Sequence, residues 1–121
     1  MLKKASALAS NSQLGESKIF FKKLIDNSGG FFGNPLVNKM SRVSLARILI
    51  AESNYDEALK SIESLMSGSD PLINELAGDA LMGQKKNTLA IDQYNRAKDL
   101  YDDEASKNII IMKLNNIQQV L

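Results

Sequence analysis

The sequence predicts an all-α fold in which antiparallel helix hairpins stack side by side, and three observations predict it. A spacing of 32 residues superposes two segments position by position: Ala46 falls on Gly78, Leu49 on Leu81, Ala58 on Ala90, Leu59 on Ile91, Ile62 on Tyr94 and Leu65 on Ala97. Self-similarity at such a period marks an array whose units share one continuous core. Apolar residues recur at three- and four-residue intervals, as in Leu45, Ile48, Leu49 and again in Ala58, Ile62, Leu65, which is the period of an amphipathic helix. Finally, small residues stand twelve apart, Ala46 to Ala58 and Gly78 to Ala90, around polar breaks at 52–54 and 83–87. Helices joined by so short a break are antiparallel neighbours.

Each element has its own signals. Residues 1–27 read as a degenerate first hairpin, with Ala5 and Ser17 twelve apart around a break from Ser10 to Leu14, and Phe21 and Leu24 following Ser17 as Ile62 and Leu65 follow Ala58. Residues 28–35, SGGFFGNP, form a glycine-rich connection. It follows a helix rather than a strand and lacks the Lys-Ser/Thr ending of a phosphate-binding loop. Phe31 and Phe32 within it are expected either to tuck back into the core, the favoured reading, or to form an exposed contact patch. A second hairpin spans 36–67 and a third 70–101, where Asp70 and Pro71 supply a cap and first turn. Gly78 in mid-helix costs about 1 kcal/mol against alanine, so a packing reason is expected. Ala46 with Ala58, and Gly78 with Ala90, are assigned to the points where paired helices cross closely. The last segment, 103–121, reads as a capping helix that covers the final hairpin, with Lys107, Lys113 and the Asn/Gln residues facing water. The expected count is about seven helices, three hairpins and a cap, in a single right-handed domain over 1–121.

Composition excludes several function classes. The 121 residues contain no Cys, His or Trp, which removes Cys/His zinc sites, thiol nucleophiles, Ser-His and Cys-His dyads and disulfides. Asp102, Asp103 and Glu104 open a helix, where acids cap it and favour its dipole, and no other constellation suggests a metal, a cofactor or catalysis. No apolar run approaches the ~20 residues of a membrane span, and the N-terminal MLKKASALAS has too short an apolar stretch for a signal peptide. Charge is uneven: residues 1–50 carry eight Lys/Arg against Glu16 and Asp26, while residues 51–121 carry seven basic against twelve acidic residues. Such a basic half suits solvated helix faces, anionic lipid or an acidic partner. With no reading motif and an acidic second half, nucleic acid is not a predicted partner.

Helix hairpins with a small residue in the first helix, alanine early in the second, then an aromatic and a further alanine resemble the tetratricopeptide repeat. Here the pattern is Gly78, Ala90, Tyr94 and Ala97 in one copy and NYDEAL, Asn54 to Leu59, in the other. More narrowly, LARILIAESNYDEALKSIESL, then ELAGDALMGQKKNTLAIDQYNRA, then IIIMKLNNI resembles the YfgM family, the ancillary subunit of the bacterial Sec translocon; the likeness covers about Leu45 to Gln118. The resemblance implies a domain on the periplasmic face of the inner membrane, held by an N-terminal transmembrane helix. Its implied partners are translocon subunits, a membrane-anchored prolyl-isomerase-like chaperone and newly exported proteins. The tether is not in this sequence, so the chain is expected to be the soluble fragment of a longer protein. The alternatives are a generic tetratricopeptide scaffold of another complex, including a cytoplasmic one, and self-association through Phe31–Phe32 or the C-terminal helix.

Stacked hairpins bind partners on the concave face lined by the first helix of each pair. The helical face opposite Ala46 and Gly78 selects Met40, Val43, Arg47 and Ile50 from one helix, and Leu72, Glu75, Asp79 and Met82 from the next. Its methionines and aliphatics suit varied apolar segments, although each apolar member is as readily explained as core. Glu75 and Asp79 disfavour capture of a C-terminal carboxylate.

Overall fold

The computed structural model describes the backbone of residues 2–120 and the side chains of residues 13–117. It holds six α-helices, α1 (Leu2–Ser28), α2 (Pro35–Ala51), α3 (Tyr55–Ile62), α4 (Pro71–Gly83), α5 (Asn87–Leu100) and α6 (Glu104–Val120); α3 runs on into one 3₁₀ turn, Glu63–Leu65. No strand occurs among the described residues. Each helix packs on the next in the chain, and α2 also meets α4.

The two central hairpins close in the same way. Ser53 and Lys85, 32 positions apart, both take left-handed backbone (φ 61° and 63°). The following amides reach back to the helix, Asn54 N donating to Leu49 O (2.7 Å) and Lys86 N to Leu81 O (2.9 Å). That bond satisfies a carbonyl the helix end would leave orphaned and turns the chain sharply. The bridge between paired helices also repeats at this offset. Arg42 Nη1 donates to Ser61 O (3.0 Å), and Asn74 Nδ2 donates to Gln93 Oε1 (2.9 Å).

Ala46, Ala58 and Ala90 are fully buried and Gly78 is buried. The ring of Tyr94 packs over Gly78: a Cβ there would lie 2.5 Å from it. At the equivalent place in the preceding hairpin, Ala46 and Ile62 share one core cluster with Ile73, Leu76 and Ala77. The larger side chain on α5 is thus matched by a smaller one on α4, which conserves volume. A second such fit places the Tyr55 ring where a side chain at Gly83 would project.

Residues 2–28 form one helix, not the expected hairpin. The polar run Ser10 to Leu14 has no proline, and Gly15 alone costs only about 1 kcal/mol, too little to end a helix. A Cβ at Gly15 would touch nothing, so no close crossing demands glycine there. Phe21 and Ile25 of α1 pack on the cluster of Leu45, Leu49, Ala58 and Ala80. Lys18 pairs with Glu52 (2.9 Å).

The connection 29–34 does not return its aromatics to the core. Phe31 and Phe32 are 95% and 96% exposed and touch each other edge to face, centroids 5.2 Å apart. Gly30 adopts φ +83°, and a Cβ at Gly33 would collide with the backbone at Ser28 and Gly29. The loop therefore turns tightly beneath the two rings and sets them outward. Asn34 Oδ1 then accepts from Leu36 N (3.1 Å) and Val37 N (3.2 Å), starting α2 with Pro35 in its first turn.

Candidate protein-interaction groove

The face shared by α2, α4 and α6 is open between α2 and α4 and bridged by ionic contacts between α4 and α6. Between α2 and α4 lies a cleft of about 390 Å³ lined by Leu36, Met40, Val43, Arg47 and Leu72 together with Lys39, Ser44 and Asp70. Leu36 and Met40, one turn apart on α2, are 64% and 60% exposed. Val43 and Leu72 form its half-buried floor and pack against the Ala46–Ile62 cluster.

Polar groups frame it. Asp70 Oδ1 accepts from Leu72 N (3.0 Å), capping α4, while its other oxygen pairs with Lys39 Nζ at 2.6 Å. Lys39 is thereby neutralised. Arg47 is exposed and has no ion pair among the described residues. An apolar slot beside an uncommitted guanidinium can seat apolar side chains and a neighbouring acceptor.

Between α4 and α6 the same face is bridged by side chains, which leave a smaller cleft. Glu75 and Asp79, one turn apart on α4, converge on Lys113 of α6: Nζ lies 2.7 Å from Glu75 Oε2 and 3.0 Å from Asp79 Oδ1. Two phenols complete the set, Tyr94 donating to Asp79 Oδ1 (2.5 Å) and Tyr101 to Glu75 Oε1 (2.6 Å). Lys113 Nζ also sits 5.8 Å from the Tyr94 ring centroid, on its face. Burial, then the hydrogen bond to Asp79, pushes the Tyr94 phenol well above its ordinary value, and burial with the bond to Glu75 does the same to Tyr101. Burial alone would lower the Lys113 ammonium, but its bonds to Glu75 and Asp79 outweigh that and raise it.

Of the eight groove residues expected, Met40, Val43, Arg47 and Leu72 therefore share the open cleft. Asp79 and Met82 line a smaller one of about 210 Å³ with Tyr94, Lys113, Asn116 and Ile117. Glu75 is spent on Lys113 and Tyr101, and Ile50 packs against two core clusters. Lys113 was expected in water; instead it is turned onto α4, because Ile110, Leu114 and Ile117 set the phase of α6 and leave position 113 at the edge of that contact. Sequence reasoning also missed Leu36 and Tyr101 as members of this face. The available signal was the carboxylate pair at Glu75 and Asp79, whose four-residue spacing calls for a cation between them.

Elsewhere, Ser106 holds the Asp103 carboxyl below its ordinary range, first through its side chain and then through its backbone N, which donates to Asp103 Oδ2 (2.8 Å) and caps α6. Among the described residues no group of three or more His, Cys, Asp or Glu is placed to hold a metal ion. No described helix is long and apolar enough to cross a membrane.

The sequence profile of a family described as "Tetratricopeptide repeat-like domain" matches residues 1–119. Among curated proteins the chain is 27% identical, over 96 residues, to the "Ancillary SecYEG translocon subunit" of Buchnera aphidicola subsp. Schizaphis graminum. That match covers 78% of this chain but 50% of the relative, so the chain spans about half the relative's length. No solved structure matches it.

Proposed function

Because the chain belongs to the tetratricopeptide repeat-like domain family, we propose that it is the protein-binding part of an ancillary translocon subunit and that the α2–α4 cleft is its working surface. It acts without catalysis, by holding a segment of another protein. The observation that carries this is the cleft itself: exposed Leu36 and Met40 above a Val43–Leu72 floor, with Arg47 uncommitted at its edge. An apolar slot of that kind accepts segments of varied sequence, since methionine and leucine repack at little cost and one guanidinium fixes backbone or carboxylate oxygens. The named relative supports the translocon as the place of work. On the same reading the domain faces the periplasm and works beside a prolyl-isomerase-like chaperone on newly exported proteins.

Site-specific photo-crosslinking in cells tests this, with the probe at Met40, Arg47 or Phe32 of the full-length protein and adducts identified by mass spectrometry. Adducts from Met40 and Arg47 to translocon subunits, the chaperone or exported proteins are expected. Adducts confined to unrelated cytoplasmic proteins would overturn the export reading. A probe at Asp79, held by Lys113 and Tyr94, is expected to give far fewer adducts than one at Arg47.

A further inference from the structure

Past its exposed first residue, Glu104, the outer face of α6 differs from the other exposed helix surfaces among the described residues in carrying no charge. Between Ala105 and Asn116 each exposed position is apolar or an asparagine, in a chain that is 24% charged. Met112 (64% exposed) lies opposite the buried ridge of Ile110, Leu114 and Ile117, with Ile109 and Ile111 on its flanks. Asn108 and Asn116 stand one turn before and after it on the same stripe. The two lysines of this span are half-buried at its margins, and Lys113 is turned onto Glu75 and Asp79. By contrast α3 exposes Asp56, Glu57 and Lys60, and α5 exposes Asp92, Arg96 and Asp99.

We propose that this face pairs with the same face of a second copy of the chain, the two α6 helices antiparallel about a two-fold axis beside Met112. Neutrality at the axis and self-complementary groups beside it favour that occupant. Across a two-fold, a residue on the axis meets itself, so a charge at position 112 would repel its copy, whereas Met112 does not. Charge depletion with exposed methionine is also the composition of an interface core. Antiparallel pairing about Met112 brings Asn108 of one copy opposite Asn116 of the other. A carboxamide both donates and accepts, so each such pair is self-complementary. One helix face is smaller than the ~800 Å² per partner of a standard interface, so the dimer is weak and depends on concentration.

Sedimentation equilibrium of the chain over a wide concentration range tests this. The weight-average mass is expected to rise from one chain toward two. Met112→Glu places two carboxylates at the axis and is expected to abolish the rise while leaving the circular dichroism spectrum unchanged. Phe31→Ser with Phe32→Ser is expected to leave the rise intact. Asn108→Lys combined with Asn116→Glu gives two Lys–Glu pairs across an antiparallel dimer and is expected to tighten association several-fold at low salt. A single-chain mass at every concentration would overturn the proposal. So would a rise insensitive to Met112→Glu, or weakening by the paired charges, which is what parallel packing would give.

Discussion

The α2–α4 and α4–α6 seams are built from equivalent helix faces and put to opposite uses. At the first, α2 presents Leu36 and Met40 to solvent, and Arg47 is left without an ionic partner among the described residues. At the second, α4 presents Glu75 and Asp79, and α6 with two tyrosines satisfies them fully. The difference teaches that a repeat scaffold assigns binding and locking by side-chain identity at fixed positions.

The sharpest way to break the comparison is at the hairpin crossing. Gly78→Ala puts a methyl against the Tyr94 ring, at a contact distance no relaxed Cβ takes. Even after the helix-propensity gain of about 1 kcal/mol, overpacking is expected to cost about 2 kcal/mol in urea denaturation. Adding Tyr94→Ile copies the Ala46–Ile62 pair into the second hairpin. The double variant is expected to be less damaged than the sum of the singles, with a coupling of about 1 kcal/mol or more; strict additivity would mean that the two positions do not pack on one another.

The bridged seam comes next. Lys113→Met removes the cation that bridges two half-buried carboxylates and is expected to cost about 1–2 kcal/mol, with faster amide exchange along α6. Lys39→Met removes a more exposed cation from a single carboxylate that Leu72 N also holds, and is expected to cost well under 1 kcal/mol. Equal losses would erase the distinction between the seams.

The same seam carries the pH dependence. Tyr94, Tyr101 and Lys113 all bind their protons more tightly in the folded chain. Above the ordinary phenol value of 10.0 the unfolded chain therefore releases protons that the folded chain keeps. Stability from these groups is complete below that value and falls as pH rises through their higher folded values. Thermal melts between pH 8 and 11 are expected to show this decline, and Tyr94→Phe and Tyr101→Phe each to lessen it.

How much of this was readable beforehand follows the range of the interactions. The offset of 32 residues marked α2 to α5 because hairpin contacts are local: Ala46 with Ile62 and Gly78 with Tyr94 lie sixteen residues apart in the same register. Lys113 could not be placed, because its carboxylates lie 34 and 38 residues away and depend on the phase of α6. Hydrophobicity favours burial of Phe31 and Phe32, but the backbone at Gly30 and Gly33 holds them outside. In α1 the polar run 10–13 resembles the other hairpin breaks, yet lacks the left-handed turn residue that ends α2 and α4.

That turn residue supports the smallest prediction. Ser53 and Lys85 sit at equivalent left-handed positions, where a side chain costs roughly 1–2 kcal/mol of local strain and glycine costs little. Ser53→Gly and Lys85→Gly are each expected to stabilise the chain, but by no more than about 1 kcal/mol, because glycine adds freedom to the unfolded chain. Because both turns make the same back-reaching hydrogen bond, the gains should match within error and add in the double variant. A gain at one turn and a loss at the other would show that the hairpins share a sequence register without sharing closure energetics, which would limit the likeness between them to the helices.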